Sequence, residues 1–337
     1  GANLTGADLA GVNLAGADLR EIDLTRVVLT GIDLTGANMR GANLTWVDLT
    51  GANLRGVDLR EVKLDGTNLT GINLRGAVLR DMDFSMANLR GINLREADLS
   101  GARLIGTNLA GVDLSGADLR GANLNQTVLI NADLTDAKIE QGKLDQACLC
   151  YAKTIDGTVS GCDLSGRNLT GIDLAGSNLA GANLAGINLR GANLSGANLS
   201  ETNLSEANLT GTNLAGADLR GANLREADLW GAILWKANLT NAKLFGASLP
   251  RAVLSNSNLT GADLSNTNLW FADLEGANLT NTNLHNAGLR SANLTGANLT
   301  GANFSKVRRW HQVILDNAVF CKTTMPDGTT NNSGCST

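Results

Sequence analysis

Cys148, Cys150, Cys162, Cys321 and Cys335, with His285 and His311, are the soft metal ligands and the nucleophile or base candidates of this 337-residue chain. The cysteines gather in two short stretches, and neither holds the C-x-x-C spacing that commonly seats tetrahedral zinc. Reduced thiols are the leading reading, and disulfide staples, Cys150–Cys162 or Cys321–Cys335, are the alternative. Catalysis has little to build on. One tyrosine (Tyr151), two histidines and carboxylates spread evenly along the chain do not converge on a site. Gly142-Lys143 is followed by Leu144, so no phosphate-binding loop is completed. The chain reads as a non-enzyme that needs no metal and no cofactor.

What must position these residues is a repeat. Every fifth residue from Leu4 to Leu149 is Leu, except Met39, Phe84 and Ile139, and the same holds from Leu164 to Phe304, where only the last departs. A small or β-branched residue usually stands two before the centre, Asn or Asp usually one before, and Gly commonly two after. A period of five fits neither the helix nor the strand, and 40 glycines recurring through the chain argue further against helix. With 3% aromatic residues, an ordinary globular core lacks volume, whereas a stacked array of one residue type does not need it. Net charge is −5, from 27 basic and 32 acidic residues, which is not a nucleic-acid-binding balance. No apolar run approaches the roughly 20 residues of a membrane span.

The pattern A-(D/N)-L-x-x, as in Ala7-Asp8-Leu9 and Ala192-Asn193-Leu194, resembles the pentapeptide-repeat family, and the match covers 1–149 and 162–305. The resemblance implies an all-β fold, a right-handed quadrilateral parallel β-helix with four pentapeptides, about 20 residues, per coil. Leu and the small residue would then point inward, because two large side chains do not fit side by side in a narrow tube. Gly would serve the corners, and Asn, Asp, Ser and Thr would bond turn backbone.

Two stretches break the pattern. Cys150 and Cys321 each precede an Asp-Gly pair by six residues, and each stretch then reaches Gly-Cys, which points to an internal duplication. The expected organisation is a first tower 1–149, an irregular break 150–161, a second tower 162–305, and a C-terminal cap and tail 306–337. Within the break the chain either continues the coil irregularly or loops out, and one continuous rod with a bulge is the favoured form. Cys162 falls at an inward small-residue position, which favours a buried thiol there. Gly1 is already inside the repeat and reads as a cut boundary with an upstream region, a membrane segment included, left off.

In a 20-residue coil, residues 20 apart stack. Arg20, Arg40, Arg60, Arg80 and Arg120 form one column, and Arg55, Arg75 and Arg95 a second. They make either an anion or acidic-partner surface or, the favoured reading, a solvated ladder balanced by Asp18, Asp58, Asp98, Asp118, Glu21, Glu61 and Asp81, each pair worth about 0–1 kcal/mol. The repeat requires no large apolar residue outside, yet Trp230, Pro250 and Trp270 should stack in one outward column ending at Arg290. Trp235 and Phe245 lie on neighbouring faces and Phe271 at the next corner. Such a cluster suggests a contact surface; the alternative is local packing, with Arg290 over Trp270. Trp310 is assigned to the cap.

These features read as a rigid scaffold, an interaction or spacer module within a longer protein, with an unidentified protein partner and no nucleic acid. The runner-up follows from the resemblance alone: the family's quinolone-resistance members resemble DNA in shape and charge and inhibit gyrase. The arginine columns and modest net charge count against it. The long regular repeats and the ending Met325-Pro326-Asp327-Gly328-Thr329 resemble cyanobacterial members, including the repeat domain of a longer protein that places heterocyst glycolipids. Compartment is left open.

Overall fold

A computed structural model of the chain describes residues 4, 6–140, 142–307 and 309–335. Gly1, Ala2, Asn3 and Thr5 of the first repeat, and Arg308, Ser336 and Thr337 of the expected cap, lie outside the described residues.

Each repeat turns a corner in one way. Its first residue adopts left-handed backbone, φ 65° at Gly216 but also 58° at Glu206 and Asn266. Glycine enters that region without steric cost, which is why it prevails there. The outward Asn or Asp then holds the corner. Asp263 Oδ1 accepts from the Ser265 N–H at 3.1 Å and from its hydroxyl at 2.6 Å, a local bond that favours a turn over helix.

Between corners the chain pairs with the coils before and after it. Asn193 pairs in parallel with Asn213, Asn213 with Ile233, and Ile233 with Val253. The Leu214 N–H donates to the Ile233 carbonyl at 2.7 Å, and the Asn213 N–H to the Ala192 carbonyl at 2.9 Å. Each partner is four repeats away, so the fold is a right-handed quadrilateral parallel β-helix. Side-chain amides repeat the ladder outside. Asn223 Nδ2 donates to Asn203 Oδ1 at 2.9 Å, Asn203 to Asn183 at 3.1 Å, and Asn183 to the carboxylate of Asp163 at 3.0 Å.

The centres and their small partners fill the tube. Leu214, Leu234 and Leu254 are fully buried beside Thr212, Ala232 and Ala252. Where Thr is the small residue its hydroxyl does not go unpaired: Thr212 Oγ1 donates to the Leu189 carbonyl at 2.8 Å. Phe304 and Met39 are tolerated because their partners are Ala302 and Ala37, and both are fully buried. Phe84 is paired with Met82 instead. Ile32 with Leu34 is accommodated, but Phe and Met in one layer exceed the tube, and the ladder opens. Residues 63 and 68 are unpaired with 83 and 88, and among the described residues the Leu64, Gly66 and Leu69 N–H groups reach no carbonyl of the following coil. A cavity of about 930 Å³ results, lined by Leu64, Leu69, Met82, Phe84 and Leu89 among others. The other two faces of the same coils stay paired, Asp58 with Val78 and Asn73 with Asn93.

The chain forms two compact units, Gly1–Gly161 and Cys162–Thr337. Each ends on the same device. In the second, β1 (Thr323–Thr324) pairs with Asn303 of the coil and turns back into antiparallel β2 (Thr330–Asn331). In the first, Lys153 pairs with Asp133 and then antiparallel with Val159. The turn bonds correspond: Thr154 N–H to Thr158 carbonyl at 2.8 Å, and Met325 N–H to Thr329 carbonyl at 2.7 Å. Asp156 Oδ1 accepts from Thr154 Oγ1 and the Thr158 N–H, and Asp327 Oδ1 from the Thr329 N–H and hydroxyl. Of the forms expected for the break, the chain pairs with the preceding coil at Lys153 and then loops out. The break is a hairpin folded back on its own coil. The regular coil also departs before Leu149. Gly142, two before Leu144 in the repeat register, is instead exposed on left-handed backbone at φ 82°, and a 3-10 turn spans Leu144–Gln146.

Among the described residues no helix is long and apolar enough to cross a membrane.

Candidate functional site

The outward aromatic residues stand at corners of the second unit. Trp230 and Trp270 end the same face two coils apart, and 51% and 45% of their surfaces stay exposed. Pro250 stands between them in the column. Phe271 begins the next face on left-handed backbone at φ 59°, and Arg251, one coil earlier, has the same φ. Trp235 sits at the following corner and Phe245 at the preceding one, so the seven residues singled out in sequence are not brought into one contact set.

Cations cover these rings. Lys236 Nζ stands 4.3 Å from the centre of the Trp235 ring. The guanidinium carbons of Arg251 and Arg290 lie 5.6 and 5.8 Å from the centre of Phe271. Arg290 thus packs on Phe271 rather than on Trp270 as expected. Corner geometry explains this: the outward residue of one coil stands beside the first residue of the next face.

Trp270 leans over Gly288. A Cβ on Gly288 would meet its Nε1 at 2.9 Å, a distance real side chains do not adopt. Beside the indole lies a cavity of about 430 Å³ lined by Thr267, Asn268, Asn286, Arg290 and Arg309. Lys236, Arg251, Gly288 and Arg309 were missed from sequence. Gly288 carried a signal, being the only glycine at the outward position that Asn or Asp normally holds. Arg309 carried none, because the period has failed there.

The first unit's arginines have carboxylate neighbours. Arg20 bonds Asp18, Arg60 bonds Asp58 and Arg120 bonds Asp118, each at 2.6 Å, while Arg80 meets Asp98. Arg40 reaches up one coil to Glu61 at 2.5 Å, and Arg75 and Arg95 share Glu96 at 3.0 and 3.3 Å. No ion pair of Arg55 occurs among the described residues. The Arg120 guanidinium, by hydrogen bonding, holds the Asp118 carboxyl down at about 2. In the same way Arg60 lowers Asp58 and Arg20 lowers Asp18. Most of these side chains remain substantially exposed, so the columns contribute little stability each.

Cys321 and Cys335 form a disulfide, and Cys150 and Cys162 are disulfide-bonded rather than reduced; the buried Cys148 alone stays outside the disulfides. Oxidation at Cys162 overrides its small-residue position. Trp310 packs on Phe304 with ring centres 4.9 Å apart and planes tilted by 57°, covering the last layer of the core. No cluster of His, Cys, Asp and Glu able to hold a metal occurs among the described residues.

The family model for pentapeptide repeats matches residues 2–149 and 160–305. Among solved structures, the chain is similar to HetL, a pentapeptide repeat protein involved in heterocyst differentiation regulation from the cyanobacterium Nostoc sp. PCC 7120. Identity is 31% over 77% of this chain and 92% of that one, with a TM-score of 0.22. Rfr23 from the cyanobacterium Cyanothece 51142 is 33% identical over 34% of this chain and 87% of its own, TM-score 0.22. QnrB1, a plasmid-mediated fluoroquinolone resistance protein, is 20% identical over 50% and 86%, TM-score 0.31. No curated protein matches. With nearly the whole chain matched by the repeat model and the quadrilateral coil built from those repeats, the protein belongs to the pentapeptide repeat family.

Proposed function

We propose that this chain is a non-enzymatic scaffold that binds a protein partner through the aromatic corner of its second unit. The observation that supports this is the exposure of Trp230, Trp270 and Phe271 at one corner, with Trp235 at the following one, on a fold whose outward positions are otherwise mostly polar. Large rings and arginine dominate protein interfaces energetically. The coil's main-chain bonds hold the corners in place before binding, so little ordering cost opposes association. The first unit's arginine columns serve solubility and local charge balance, because nearby carboxylates already meet them. The same pairing, with a net charge of only −5, disfavours mimicry of DNA.

The test is capture of partners by the full chain and by a Trp230→Ser, Trp235→Ser, Trp270→Ser variant, after circular dichroism shows both folded. A partner retained by the wild type and lost by the variant supports the reading. Identical partner sets would overturn it.

A further inference from the structure

We infer that the cavity beside Trp270 binds a carboxylate of an acidic peptide segment, and that the partner therefore presents such a segment to this corner. The inference rests on the reading of the corner as the partner face.

The observation is a charge imbalance. In the first unit nearly every outward arginine of the two columns meets a carboxylate. The cavity beside Trp270 is lined by Arg290 and Arg309 with Thr267, Asn268, Asn286, Ala287 and Gly288, and by no acid. Neither arginine makes an ion pair among the described residues. Two guanidiniums around one concavity repel unless an anion enters, and their planar donor forks match a carboxylate. Arg290 is steadied by Phe271 at 5.8 Å. The indole adds a third donor: its Nε1 edge lies over Gly288, and among the described residues no acceptor takes its proton. Gly288 keeps that edge in place, since any Cβ there would displace it.

The rim selects among anions. Beyond the cavity stand Phe271, with Arg251 on its ring, Pro250 and Trp230, and these rings offer apolar contact that a peptide can use and a free phosphate cannot. An extended peptide alternating acidic and apolar side chains can place its carboxylate in the cavity and its apolar groups on the rings.

The experiment titrates the full chain at low salt with a capped ten-residue peptide alternating Glu with Leu or Phe, followed by calorimetry. Wild type should bind it, and its Gln-for-Glu counterpart should not bind. Arg290→Gln with Arg309→Gln should weaken binding by about tenfold or more, the loss of charge-assisted bonds, with an unchanged dichroism spectrum. Equal affinity in wild type and double variant would overturn the assignment. So would binding of inorganic phosphate or polygalacturonate at this site with no binding of the peptide. Failure here is separable from failure of the partner face: a partner lost with the tryptophan variant but kept by the arginine variant sinks only the carboxylate site.

Discussion

At the scale of single residues, outward side chains act through the neighbours that the 20-residue coil stacks on them. Asp118 is held at about 2 by Arg120, below the roughly 3.9 of a free aspartate. A depressed carboxylate contributes stability that is full above the unfolded value and fades as pH falls through the folded one. Asp118→Asn should therefore lower the melting temperature at pH 7 by only about 1–2 °C, because its partner Arg120 is mostly exposed to solvent. The difference from wild type should vanish as pH drops from about 4 toward 2. Thermal melts across that window check it. Gly288→Ala is a steric counterpart. The added Cβ meets Trp270 Nε1 at 2.9 Å, so the indole must swing away while the backbone, which is not in the left-handed region there, accepts alanine. Expected outcomes are a shifted tryptophan emission, a change of under about 1 kcal/mol in stability and reduced acidic-peptide binding. Unchanged emission would show that Trp270 does not rest on Gly288.

At the scale of the elements, the coil tolerates Ile beside Leu, and Phe or Met beside Ala. Phe304 beside Ala302 is fully buried and its coil stays paired, whereas Phe84 beside Met82 opens the ladder between residues 61–70 and 81–90. Met82→Ala should restore the one-large, one-small layer and close the gap. Amide exchange at Leu64, Gly66 and Leu69 should slow by about tenfold or more, since each gains a carbonyl partner. Exchange that stays fast would mean that something other than crowding separates these coils. The closing hairpin of the second unit is stapled by Cys321–Cys335, 14 residues apart. Cys335→Ser removes that loop constraint, worth about 3 kcal/mol in the chain-entropy account. It should lower the unit's denaturation midpoint under oxidising conditions and leave it unchanged under reducing ones.

At the scale of the whole molecule, the chain is two repeat units, each with its own leucine core and its own closing hairpin. Stability in such arrays comes from contacts between adjacent repeats, and an exposed terminal coil would offer unpaired strand groups. Fragments 1–161 and 162–337, studied under reducing conditions, should each give the dichroism of a β-helix and a cooperative melt. A fragment that aggregates or stays unfolded would show that its core depends on the other. Binding of the acidic peptide should travel with 162–337 alone, because every residue lining the cavity belongs to that unit.

The five-residue period by itself excluded helix, and the resemblance it carries to the pentapeptide-repeat family implied the all-β coil, its inward Leu and small residue, and the outward columns, because in a regular solenoid sequence distance maps directly onto spatial distance. It also exposed Phe84 as an irregular centre. It did not reveal that Phe84 with Met82 would split a ladder, since crowding depends on whether the neighbouring layer can yield. Nor did it show that both breaks are hairpins: a hairpin needs the last coil as a template, and the strands are too short to register as a pattern. Arg309 joining Arg290 and Trp270 lay beyond it as well, because once the period fails, only the folded chain decides which side chains meet.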